Sequence, residues 1–119
     1  MSISSGIQII LEMAASPSDR AAVLDDIRTL TVTQAPLLES VERTLADGYA
    51  CALAIEAQRL RLQRQLEEAA GALGESSGTQ VISVVAGLAQ GVAEADVELA
   101  ELRTALAGLA DKARAMRAA

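Results

Sequence analysis

Apolar residues return every three or four positions along two long stretches of the chain, a spacing that predicts two long helices over about residues 36–74 and 80–117. In the first stretch the seam runs Leu38, Val41, Leu45, Gly48, Ala52, Ile55, Arg59, Leu62, Leu66, Ala69 and Leu73, and Arg59 is its one polar member. In the second it runs Val81, Val85, Leu88, Val92, Ala95, Leu99, Leu102, Leu106, Leu109, Ala113 and Met116, with no polar member. A three–four alternation sustained this long is a coiled-coil pattern. At 1.5 Å per residue, each helix would span about 57 Å.

The two seams also fit each other. Folding the chain antiparallel about Ser77 pairs residues whose numbers sum to 154, so that Gly48 faces Leu106, Leu62 faces Val92 and Arg59 faces Ala95. Small residues then repeatedly meet larger ones, as constant packing density requires. Charge favours the same direction: Arg59, Arg61 and Arg64 fall opposite Glu94, Asp96, Glu98 and Glu101, and Glu39 and Glu42 fall opposite Lys112, Arg114 and Arg117. Such exposed pairs contribute only about 0–1 kcal/mol each, so they select orientation more than they stabilise.

Two shorter helices precede this hairpin, over about 3–15, with Ile3, Ile7, Ile10, Leu11 and Ala14 at helical spacing, and about 17–30, with Val23, Leu24, Ile27 and Leu30. Ser16-Pro17-Ser18-Asp19 marks a helix start, because Pro at the first helical position loses no intrahelical bond. The β-branched run Thr31-Val32-Thr33 and then Pro36, which disfavours helical geometry at Ala35, predict a break before the long helices. Residues 75–79 read as a loop, with Thr79 as the N-cap of the second long helix. The fold expected is therefore all-α and bundle-type: a single domain over 1–119, built as a long antiparallel, coiled-coil-like hairpin with two short N-terminal helices.

Composition narrows the chemistry. The chain has 119 residues, 25 of them Ala and 16 Leu, with no His, Trp or Phe, one Tyr and one Cys. Without His there is no imidazole base, no Ser-His-Asp or Cys-His nucleophile, and no Glu-x-x-His bundle metal site. Glu56, Glu94, Asp96, Glu98 and Glu101 lie off the seams and read as a solvated face, as do Glu67 and Glu68. Cys51, with no base beside it, reads as a small core or interface residue. No enzyme activity, metal or cofactor is expected.

A formal charge of -6 opposes general nucleic-acid binding, which needs a basic surface to release counterions. The cluster Arg59, Arg61 and Arg64 could serve as an anion patch, but its register answers the acids across the hairpin. Neither a basic leader nor a transmembrane stretch is evident: the longest uncharged run, 76–93, carries six Ser, Thr or Gln residues. A cytoplasmic protein is the expectation, and a membrane-surface role fits poorly with acidic charge and missing aromatic anchors.

What remains is surplus apolar surface. Leu37, Tyr49, Leu53 and Leu60 on the first long helix, and Ile82 and Val84 on the second, lie off the seams and are the candidate interface residues. They point to a protein–protein interaction module, an adaptor, assembly factor or chaperone working as a homodimer or higher oligomer. A self-assembling scaffold or filament subunit is the alternative. In size, acidity and helicity the chain is similar to the small helical chaperones of bacterial flagellar and secretion systems, although no motif carries that likeness.

Overall fold

The computed structural model describes residues 17–73 and 78–119. Helices α1 (Pro17–Val32), α2 (Leu38–Leu73) and α3 (Thr79–Ala118) account for nearly all of them, with no strand among the described residues. The chain is all-α. The helix expected over 3–15 and most of the 75–79 loop lie outside the described residues.

Pro17 opens α1 as its position in the sequence implies, but the helix runs through Thr31 and Val32 rather than stopping near residue 30. The threonines themselves explain the extension. Thr31 Oγ1 donates to the Ile27 carbonyl at 2.7 Å and Thr33 Oγ1 to that of Thr29 at 2.6 Å. Both side chains bond back onto the preceding turn, a role open to threonine even in a helix it does not favour.

Beyond Val32 the chain reverses through Ala35, which adopts the left-handed conformation with φ 51°. For a residue carrying a Cβ this costs roughly 1–2 kcal/mol. Pro36 then holds off the next helix: α2 starts at Leu38, two residues later than the seam pattern suggests, and the Leu37 carbonyl accepts its first bond, from Val41 N–H at 3.1 Å. At the start of α3 the Gly78 carbonyl accepts from the N–H groups of Val81 and Ile82. Gly78, not Thr79, therefore takes the N-cap position.

Contacts divide the chain into two units, Met1–Ala54 with Ala100–Ala119, and Ile55–Leu99. In the first, α1 packs against α2 and α3. Ile27 is fully buried, as are Val41, Cys51, Leu109 and Ala113, with Leu45, Leu102 and Leu106 nearly so. The close point is Gly48. A Cβ placed there would lie 2.5 Å from Leu106 Cδ2 and 3.0 Å from Ile27 Cδ1, so a glycine lets a side chain from each of the other two helices reach the α2 backbone.

Lys112, the single lysine of the chain, ties the end of α1 to α3. Its Nζ donates to the carbonyls of Leu30 (2.7 Å), Thr31 (3.0 Å) and Thr33. An ammonium has three N–H donors, and the last turn of a helix leaves carbonyls without intrahelical partners, so the match satisfies both sides. The positive charge also complements the negative end of the α1 dipole. The seam register sets Lys112 against Glu39 and Glu42, and the structure corrects this. Arg117 reaches Glu42, at 3.1 Å, while Glu39 pairs within its own helix with Arg43 and Arg114 pairs with Asp111.

Among its described residues the second unit consists of stretches of α2 and α3, with Gly78 at the start of α3. Arg59 pairs with Asp96, and a Cβ at Gly91 would lie 3.2 Å from Leu62 Cδ1. Both contacts fall within one residue of the pairing whose numbers sum to 154. With only two helices present, Leu62, Leu66, Val85, Leu88 and Val92 are half-buried, while Ile55, Ala95 and Leu99 are buried. Gly87, by contrast with Gly48 and Gly91, faces open space.

Gly48 and Gly87 therefore respond oppositely to one substitution. Gly48→Ala is expected to lower unfolding free energy by about 1 kcal/mol, because overpacking of roughly 1–3 kcal/mol outweighs the ~1 kcal/mol gain in helix propensity. Gly87→Ala keeps only the gain and raises it by up to about 1 kcal/mol. Urea titrations at matched protein concentration measure both. In the same assay Lys112→Met, which keeps the stem and removes the donors, is expected to cost about 1–3 kcal/mol.

Candidate functional site

An apolar side chain on a helix surface is left uncovered when no neighbouring element packs on its face. All six residues expected at an interface are exposed. Leu37, Tyr49 and Leu53 belong to the first unit, and Leu60, Ile82 and Val84 to the second. Leu37 sits at the mouth of α2, where the chain turns in from Pro36. Tyr49 and Leu53, 51% and 61% exposed, are one turn apart on a single face of α2 within the first unit. Leu60 continues the same helical spacing in the second unit, since 49, 53, 57 and 60 recur at steps of four, four and three. Ile82 and Val84 are also in the second unit, but residues two apart point to different sides of a helix.

Tyr49 borders a surface groove of about 590 Å³ between α2 and α3. Leu45, Ala46 and Ala110 contribute its apolar lining, while Glu42, Arg114 and Arg117 give it a charged rim. The Arg117–Glu42 pair joins the two helices at that rim. Its charges are set by packing: Arg117 and Glu42 are both half-exposed, and Arg114 is turned toward Asp111 on its own helix. A groove of this kind offers a tyrosine hydroxyl, aliphatic contact and paired charges. It holds no nucleophile with a base beside it.

The remaining sequence candidates fall elsewhere. Arg59 is engaged with Asp96 and, at 3.3 Å, with Gln63, while Arg61 and Arg64 are exposed. Glu94 accepts from Gln90 within α3 at 3.2 Å. No group of three or more His, Cys, Asp or Glu residues suited to a metal occurs among the described residues. None of the described helices is long and apolar enough to cross a membrane. Val32, the most exposed large hydrophobic residue described, escapes the sequence pattern because the β-branched run sets the helix break ahead of it.

Cys51 is fully buried and lies in the core of the first unit. Its thiol is therefore expected to react with an aromatic disulfide reagent at least about 100-fold more slowly in the native protein than in denaturant, since reaction requires opening of the core. Stopped-flow absorbance measures both rates; equal rates would show that the core around Cys51 opens freely. No protein-family model, curated protein or solved structure matches the chain.

Proposed function

We propose that this chain is a non-catalytic protein–protein interaction module: an adaptor, assembly factor or secretion-type chaperone in the cytoplasm that works as an oligomeric helical hairpin. In this reading α2 and α3 form one continuous antiparallel, coiled-coil-like pair, with the Tyr49–Leu53 face of α2 as the contact surface. The observation that carries the reading is the exposure of these two large side chains on one helix face beside an apolar groove. Tyrosine suits such a surface, because it brings a large rigid contact area and a polar tip that tolerates water when the partner is absent.

Self-association is the simplest use of the face. In a two-fold dimer the same patch meets itself, and the Glu42–Arg117 rim on each copy presents both signs of charge to its mate. Two hairpins joined this way make a four-helix core. The alternative, a self-assembling scaffold or filament subunit, draws support from the apolar residues exposed on a different helix, Ile82 and Val97 of α3. A head-to-tail contact between unlike faces that does not close propagates into fibres.

Sedimentation equilibrium across a concentration series tests the proposal. The parent protein is expected as a dimer, and Tyr49→Asp with Leu53→Asp as a monomer of unchanged helicity by circular dichroism. A dimer that survives both substitutions places the contact elsewhere. Growth beyond a dimer as concentration rises would favour the scaffold.

A further inference from the structure

We propose that α1 exchanges between two copies of this chain, pivoting at residues 34–36 so that each copy's α1 docks on the α2 and α3 of the other. Thr33 N–H donates to the Leu30 carbonyl and Val41 N–H to the Leu37 carbonyl, so residue 33 moves with α1 and residue 37 with α2. The hinge between them is Gln34, Ala35 and Pro36. This exchange does not involve the Tyr49–Leu53 face.

The hinge is strained in its closed form. Ala35 takes φ 51°, left-handed geometry that a Cβ disfavours. It also precedes a proline, whose ring pushes the preceding residue toward extended backbone. The closed turn therefore holds Ala35 away from the conformation that its own side chain and its neighbour both favour. A straightened hinge restores it. Short hinges under strain are where identical elements change partners.

What holds α1 can be transferred whole. Ile27 packs against Gly48, and Lys112 Nζ donates to the carbonyls of Leu30, Thr31 and Thr33. Each contact joins a residue before the hinge to one after it, so each re-forms on a second copy. Swinging α1 into water would lose them all. Apolar surface is also left where the exchange would cover it. Val32 and Leu37, 81% and 73% exposed, are the two most exposed large hydrophobic residues described, and they flank the hinge. In the exchanged pair the two hinges run past each other at the two-fold axis, which brings these four side chains together and out of water. The closed monomer gives them no such cover.

Because two attachments hold α1 in place, the partner is chosen as the chain folds, and concentration decides the outcome. The test uses the full chain with Cys51→Ala, and with Tyr49→Asp and Leu53→Asp to remove the face proposed above, so that the two readings fail separately. Thr31→Cys and Gly108→Cys form the reporter pair, since a Cβ at Gly108 lies 3.9 Å from Thr31 Cγ2. The protein is folded from urea at micromolar or millimolar concentration, oxidised, and run on a denaturing, non-reducing gel. Folding at micromolar concentration is expected to place the disulfide within one chain, and folding at millimolar concentration to give a disulfide-linked dimer as the main product. Adding Ala35→Gly, which accepts φ 51° without strain, is expected to cut the dimer yield about tenfold. Val32→Ser with Leu37→Ser is expected to cut it as well, while the closed monomer keeps its helicity. Disulfides confined to single chains at both concentrations overturn the proposal, as does a dimer indifferent to these hinge substitutions. If the cysteines do not oxidise, sedimentation velocity of the millimolar sample, diluted just before the run, decides: a dimer is expected, and a monomer overturns the proposal.

Discussion

The missing side chain at Gly48 is the constraint on which the first unit rests. Ile27 from α1 and Leu106 from α3 both reach the backbone of α2 at this residue, and both are buried there. Any Cβ would hold at least one of them off. Without that approach α1 would lose the one fully buried side chain among its described residues. A 16-residue helix rich in threonine and valine near its end is marginal by itself, so α1 exists because it docks.

Docking at one point does not fix a helix, and Lys112 supplies the second point. Its ammonium collects carbonyls at the end of α1, beside the turn where Ala35 takes up left-handed geometry. The two attachments are complementary. Ile27 removes apolar area from water, whereas Lys112 closes the polar groups that the helix end would otherwise present to solvent. Together they position Val32 beside that turn.

How much of this is legible in the sequence depends on repetition along the chain. Each seam has many members, so register can be read by matching one series against the other. The Gly48–Leu106, Leu62–Gly91 and Arg59–Asp96 contacts all lie within a residue of the pairing found that way. The capping by Lys112 spans about eighty residues and occurs once; with no repeat to reveal it, register alone sets the lysine against the nearest acids. Helix ends are hidden for a related reason. Thr31 and Thr33 discourage a helix by intrinsic preference, but their hydroxyls bond back to Ile27 and Thr29 once the turn is in place. For the candidate surface, exposure is implied by the pattern, since a residue off the seam has no partner helix. Its scatter is not, because Ile82 and Val84 read alike in sequence while lying on different sides of α3.

The apolar face of α2 is available because α1 covers a different side of the same helix. That division of labour makes the docking of α1 the central claim, and native-state hydrogen exchange followed residue by residue tests it most directly. If Ile27 and Lys112 hold α1 in place, amides in its second half, 25–32, exchange with the same opening free energy as those of Val41, Leu45 and Ala52. Exchange of the α1 amides at rates close to those of an unstructured peptide, while α2 and α3 stay protected, would contradict it.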